Sequence, residues 1–124
     1  MAAPRSTRTS STSPPAAVGH RNEVRLVGRL AAPPVEVTLP SGDVVVSWRL
    51  VVDRDARSRR PPAVDTLDCS AWGRTVQRRV VAWQPGDLVS VDGVLRRRFW
   101  RGPSGAVSRY EVEALAAKRL SRAS

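Results

Sequence analysis

From Leu88 to Trp100 the side chains alternate in character with a period of two, which commits the segment to a β-strand. Val89, Val91, Leu95 and Phe99 share one face, which is expected to meet a core. Ser90, Asp92, Arg96, Arg98 and Trp100 fall on the other. A large ring therefore sits on the polar face beside two arginines. That combination suits a nucleobase stacked on the ring with its phosphate paired to a guanidinium.

The same period recurs along most of the chain. Val24, Leu26 and Leu30 alternate with Glu23, Arg25 and Arg29 in a first strand, interrupted by Gly28 at a bulge or barrel bend. Pro33-Pro34 breaks the run, Val35 to Leu39 is a short extension, and Pro40-Ser41-Gly42-Asp43 is a turn. Val44 to Asp53 is a second strand, Arg54 to Ala63 a loop, and Val64 to Trp72 a third strand. Gly73 to Trp83 is the one helical segment, with Val76, Val80 and Trp83 on a common face, and Gln84-Pro85-Gly86-Asp87 stops it. Leu88 to Trp100 is the fourth strand, Arg101 to Ala106 a loop, and Val107 to Ala116 the fifth strand. This order predicts an all-β fold, a five-stranded OB-fold barrel with one helix between strands 3 and 4. Barrels of that kind bind oligonucleotides on the strand 2–3 face and in their loops.

Charge narrows the partner. In 124 residues there are 21 Lys and Arg against 11 Asp and Glu, a formal net charge of +10. A polyanion fits such an excess better than a membrane or an acidic protein. Lys118 is the only lysine, so an arginine-favouring genome accounts for part of the bias. Cys69 is the only cysteine and His20 the only histidine, which excludes an intrachain disulfide and a Cys/His zinc site. Neither a catalytic constellation nor a metal or cofactor site is expected, so the chain reads as a non-enzyme. With no apolar run of membrane-spanning length and no secretory signal, a cytoplasmic, nucleoid-associated protein is the expectation. Residues 1–21, rich in Ser, Thr, Ala and Pro, are expected to be a disordered tail. Residues 22–120 form the folded domain, and 121–124 a short basic end.

The tryptophans divide by face. Trp48 shares its face with Val44, Val46, Leu50 and Val52, and Trp83 lies on the apolar side of the helix, so both belong to the core. Trp72 alternates with Cys69 and Ala71, which places it with Thr66, Asp68 and Ser70 on a polar face. Trp72 and Trp100 are the candidate stacking platforms. Arg96 and Arg98 flank Trp100, Arg74 follows Trp72-Gly73, and Arg49 faces outward next to Trp48; these are the candidate phosphate contacts. Arg97 points to the opposite face, and Asp68 on the binding face repels phosphate. Arg54, Arg57, Arg59 and Arg60 form either an electrostatic arm or a plain loop. Cys69 points inward as a small hydrophobe.

These pieces together resemble the bacterial single-stranded DNA-binding protein family over about Asn22 to Leu120. The resemblance rests on Asn22-Glu23-Val24-Arg25-Leu26-Val27-Gly28-Arg29-Leu30, the turn Pro40-Ser41-Gly42, the step Trp72-Gly73-Arg74, and the run from Gly86 to Trp100. It implies that Trp72 and Trp100 stack on bases and that Arg74, Arg96 and Arg98 line the DNA path. It also implies single-stranded DNA as partner, a homo-oligomer (tetramer or dimer), and work in replication, repair or recombination. Thr66 stands where the family usually has a third ring, and Leu67 where well-known members carry an interface histidine. The end Leu120-Ser121-Arg122-Ala123-Ser124 is basic where typical members carry an acidic tip, which resembles a short paralogue. Two rival readings follow: an interaction module that regulates a fuller paralogue, and RNA binding.

Overall fold

The computed structural model describes residues 19–55, 61 and 63–124. Residues 1–18 of the expected tail, and Arg57, Arg59 and Arg60, lie outside the described residues. The element order is β1 (Val24–Leu30), β2 (Val35–Thr38), β3 (Val44–Asp53), β4 (Val64–Ala71), α1 (Arg74–Val80), β5 (Leu88–Gly102) and β6 (Gly105–Ser121). The strands hydrogen-bond in the order β1-β5-β6-β4-β3-β2, and a further β1–β3 pairing closes the ring. This is the expected OB-fold barrel. The short extension before the turn pairs with β3 as a strand of its own, Val35 opposite Ser47 and Thr38 opposite Val44.

Closure depends on Gly28. β1 pairs with β5 as far as Arg29, then with β3 through Arg29–Val51 and Leu30–Leu50. A Cβ at Gly28 would lie 2.4 Å from the Val51 carbonyl oxygen, so only glycine lets the strands cross this closely. Of the two roles open to Gly28, the structure shows the barrel bend. The bulge lies elsewhere. Asp92 faces Ala116 but Gly93 faces Ala114, so Leu115 is the extra residue on β6. The bulge changes the parity of β6 and lets both Ala117 and Ala114 point into the core.

Leu30, Val46, Trp48, Leu50, Cys69, Ala71, Val89 and Val91 fill the interior, with Val76 and Val80 supplied by α1. Full burial of a Val or Leu side chain contributes roughly 1.5–3 kcal/mol. Trp48 meets Trp83 edge to face, with ring centroids 5.8 Å apart. Both are core residues, as expected. The helix, however, ends at Val80, and Trp83 follows it in a turn where its backbone N–H donates to the Val80 carbonyl. Seven residues make a marginal helix, so packing must hold it. Gln77 does part of this: its Nε2 donates to the carbonyls of Val44 (2.8 Å) and Ala71 (2.9 Å).

Leu95 and Phe99 were expected in the core, but they are 45% and 69% exposed. β4 pairs with β6 only at Cys69–Val112 and Ser70–Glu113. Beyond that point β5 and β6 run on as a two-stranded ribbon, with no further strand among the described residues paired to it. The ribbon turns at Pro103-Ser104, between the paired Gly102 and Gly105, so both strands are longer than the sequence pattern indicated.

Asp87 ties the end of the helical turn to the C-terminal segment. Its carboxylate accepts hydrogen bonds from the backbone N–H of Gln84 and of Ala123, each 2.8 Å, with Arg119 at 3.8 Å. The Gln84 N–H is the largest cause of a pKa below the ordinary aspartate value; Ala123, Arg119 and Arg122 add to it, and burial opposes it. A carboxyl whose pKa is lowered by folding stabilises the fold above its unfolded pKa and loses that effect as pH falls through the folded value. Asp87→Asn is therefore expected to lower Tm at pH 7, with the two proteins converging below about pH 4. A constant difference across an acid titration would contradict this.

Candidate nucleic-acid interface

Trp72 and Trp100 are brought to one face. Trp72 sits at the exit of β4, directly before the N-cap Gly73 of α1, and is 39% exposed. Trp100 stands on the ribbon, 46% exposed. The link between them is Arg98, two residues before Trp100 and on the same side of β5. Its guanidinium carbon lies 4.9 Å from the centre of the Trp72 ring. The cross-strand neighbour Arg109 covers Trp100 in the same way, at 5.6 Å. Each ring thus has a cation over one face and stays partly exposed.

Carboxylates hold these cations. Glu111 is buried on this outer face and accepts a hydrogen bond from the Ser70 hydroxyl. Arg98 Nε lies 3.4 Å and Arg109 Nη2 3.9 Å from the Glu111 oxygens. Glu113 accepts from Arg98 Nη2 at 2.8 Å and from Arg96 Nε at 3.4 Å. Arg98 is thus clamped between two acids and one ring. Removing one partner of a buried pair leaves the other charge stranded, at a cost of about 3–5 kcal/mol when burial is complete. The guanidinium here is a third exposed, so the cost is smaller.

Arg49 faces outward as expected, and Asp68 accepts from its Nε at 3.3 Å. Together with Arg109, Ser47 and Val35 they line a groove of about 360 Å³ along β2, β3 and β4. Arg74 is exposed in the first turn of α1 and borders a different groove, with Glu36, Gln77 and Arg78. The structure brings Trp72, Trp100, Arg96 and Arg98 into one cluster, sets Arg49 beside it, and leaves Arg74 apart. Arg109, Glu111 and Glu113 were not singled out from the sequence, and Ser70 was placed on the polar face without its partner Glu111. The alternation Ser108-Arg109-Tyr110-Glu111-Val112-Glu113 carries their common face, but their partners lie across the strand pair.

Cys69, behind this face, is 2% exposed. Burial first, then the charges of Asp68 and Glu111, push its thiol up to about 12. It stays a neutral thiol and is no nucleophile. Among the described residues no group of three His, Cys, Asp or Glu side chains could hold a metal ion. No described helix is long and apolar enough to cross a membrane.

Residues 21–120 match the single-strand binding protein family. The chain belongs to that family. It is 33% identical over 87 residues to the single-stranded DNA-binding protein of Thermotoga maritima, covering 68% of this chain and 62% of that protein. It is 31% identical over 96 residues to single-stranded DNA-binding protein B of Bacillus subtilis, covering 77% of this chain and 84% of the relative. The fold is similar to that of a Plasmodium falciparum SSB solved in complex with ssDNA, with a TM-score of 0.65 at 21% identity over 82% of this chain and 94% of that one.

Proposed function

We propose that this protein is a non-enzymatic binder of single-stranded DNA, largely indifferent to base sequence, acting where single strands arise in replication, repair or recombination. The observation that carries the reading is the pair of exposed rings, Trp72 and Trp100, on one cationic face of a family barrel. Stacking accepts any base because every base has a π-face. Arg96 and Arg98 supply positive charge beside the rings, Arg49 and Arg109 adjoin them, and Arg74 adds charge at the separate groove along α1.

The acid pairs refine the electrostatics. Four fully free arginines on a single strand would give a slope of log K against log salt of about −2.8, at roughly −0.7 per phosphate. Glu113, Glu111 and Asp68 already engage three of those four. A shallower slope is expected, with stacking carrying more of the affinity than ion release.

The test is a titration with labelled oligo-dT, oligo-U and duplex DNA over a range of salt. Oligo-dT is expected to bind well above duplex, with a slope shallower than about −2.8. Equal binding of duplex, or none of oligo-dT, would sink the proposal. A preference for oligo-U would favour the RNA alternative. No oligonucleotide binding, with retained association to a fuller paralogue, would favour the regulatory module.

A further inference from the structure

The reverse face of the β5–β6 ribbon carries aromatic and cationic groups that the front-face site does not use. Leu95, Arg97, Phe99 and Arg101 of β5 share this face with Ser108, Tyr110 and Val112 of β6, because Leu95 stands opposite Val112 and Arg97 opposite Tyr110. Lower down it is the core face: Val112 is buried. Higher up, where the ribbon leaves the barrel, the same parity emerges into solvent. Phe99 is 69% and Tyr110 59% exposed. Both rings are large apolar surfaces that a strand would ordinarily bury.

Charge distinguishes this face from the front. The front holds Arg96, Arg98 and Arg109 together with Glu111 and Glu113. The reverse holds Arg97 and Arg101 and no carboxylate at all in the ribbon. Among the described residues neither arginine has an acid within ion-pair distance. The Arg97 guanidinium is instead set between two rings, 5.1 Å from Phe99 and 5.3 Å from Tyr110, and donates to the Ser108 hydroxyl at 3.1 Å. The ribbon's uncompensated positive charge thus lies opposite to Trp100, interleaved with exposed rings.

We propose that this reverse face is a second contact for the same single strand, with bases stacking on Phe99 and Tyr110 and phosphates paired to Arg97 and Arg101. Phe99 and Trp100 are consecutive residues on opposite faces of a ribbon one strand thick. A strand leaving Trp100 passes over the ribbon's edge and reaches Phe99. A second copy of the chain fits the face less well. A two-fold interface would set Arg97 and Arg101 against the same residues of the partner, with no acid between them. A polyanion meets no such repulsion.

This inference rests on the single-strand reading, so its test varies oligonucleotide length. Wild type and Phe99→Ala/Tyr110→Ala are titrated with a series of oligo-dT lengths, and each protein's mass in solution is measured without DNA. The shortest oligo-dT that the front face holds is expected to bind both proteins alike. Longer oligo-dT is expected to bind the variant at least about 30-fold more weakly, from the stacking lost at two rings. Arg97→Gln is an independent probe, expected to make the salt slope shallower by about 0.7 for long oligo-dT only. Equal affinity at every length, or the same loss at every length, overturns the proposal. So does a drop in the variant's mass, which would make the face a subunit contact. Failure of wild type to bind any oligo-dT is a different result, and it defeats the underlying function instead. All the substituted side chains are exposed, so Tm is expected to stay within a degree or two.

Discussion

Trp72→Ala with Trp100→Ala is expected to reduce oligo-dT affinity by about 30-fold at the least and by as much as ~10⁴-fold. Loss of stacking on one ring costs roughly 1–3 kcal/mol, so two rings account for about 2–6 kcal/mol. Neither ring is part of the core, since both are well exposed at the surface of β4's exit and of the ribbon. The double variant should therefore fold, and the buried pair Trp48–Trp83 should keep its fluorescence. Anisotropy of a labelled oligo-dT measures the affinity without depending on the deleted fluorophores. The single variants need not add up. Trp72→Ala also removes the ring beneath Arg98, leaving the guanidinium to Glu111 and Glu113 alone. Trp100→Ala releases Arg109, whose remaining acid partner is Glu111 at 3.9 Å. Groups that share a network show coupling energies of about 0.5–3 kcal/mol. A double variant that binds oligo-dT within about threefold of wild type would be incompatible with stacking as the main source of affinity.

What the sequence made legible was whatever period two records. The outward positions of Trp72 and Trp100, and the inward ones of Trp48 and Cys69, follow from alternation alone, and each stands where alternation put it. Leu95 and Phe99 show its limit. Alternation says which residues share a face, but not how far along the strand another layer covers that face. Here the cover ends at Cys69 opposite Val112, because the earlier part of β4 does not pair with β6, and that depends on a pairing between segments more than 40 residues apart. The acids behind the arginines were hidden for a related reason. Arg98 is six residues from a carboxylate in sequence at Asp92, but its partners Glu111 and Glu113 lie across the ribbon. Their alignment is set by the one-residue bulge at Leu115, which no propensity marks. The helix was recovered from its spacing, but its end was placed late because Trp83 continues the apolar face through a turn rather than a helix.

That bulge is the position at which a single methyl group should do most damage. A Cβ on Gly93 would fall 2.0 Å from the Glu113 carbonyl oxygen, and the obstacle is backbone rather than a flexible side chain. β5 and β6 must then either part at the bulge or slip by one residue to close it. A one-residue slip turns every side chain of one strand to the other face. Glu111, Glu113 and Arg109 would leave the side that holds Arg98 and Trp100, and Arg98 would lose both its acids. Val112 and Ala114 would leave the core at the same time. Gly93→Ala is therefore expected to cost about 3 kcal/mol, the upper part of the usual range for over-packing. For a domain of this size that lowers Tm by upwards of about 10 °C. Gly73→Ala is the control: a Cβ there meets nothing within 4 Å, and the backbone φ of −83° suits any residue. Thermal unfolding of the two variants, with oligo-dT affinity measured well below either Tm, separates the two responses at Gly93. Parting of the strands would lower stability and leave most of the affinity. A slip would lower both, because Trp100 would keep its place while the cations and acids that order its surroundings changed sides. A Tm for Gly93→Ala within two degrees of wild type would mean that the ribbon is not held by the pairing described.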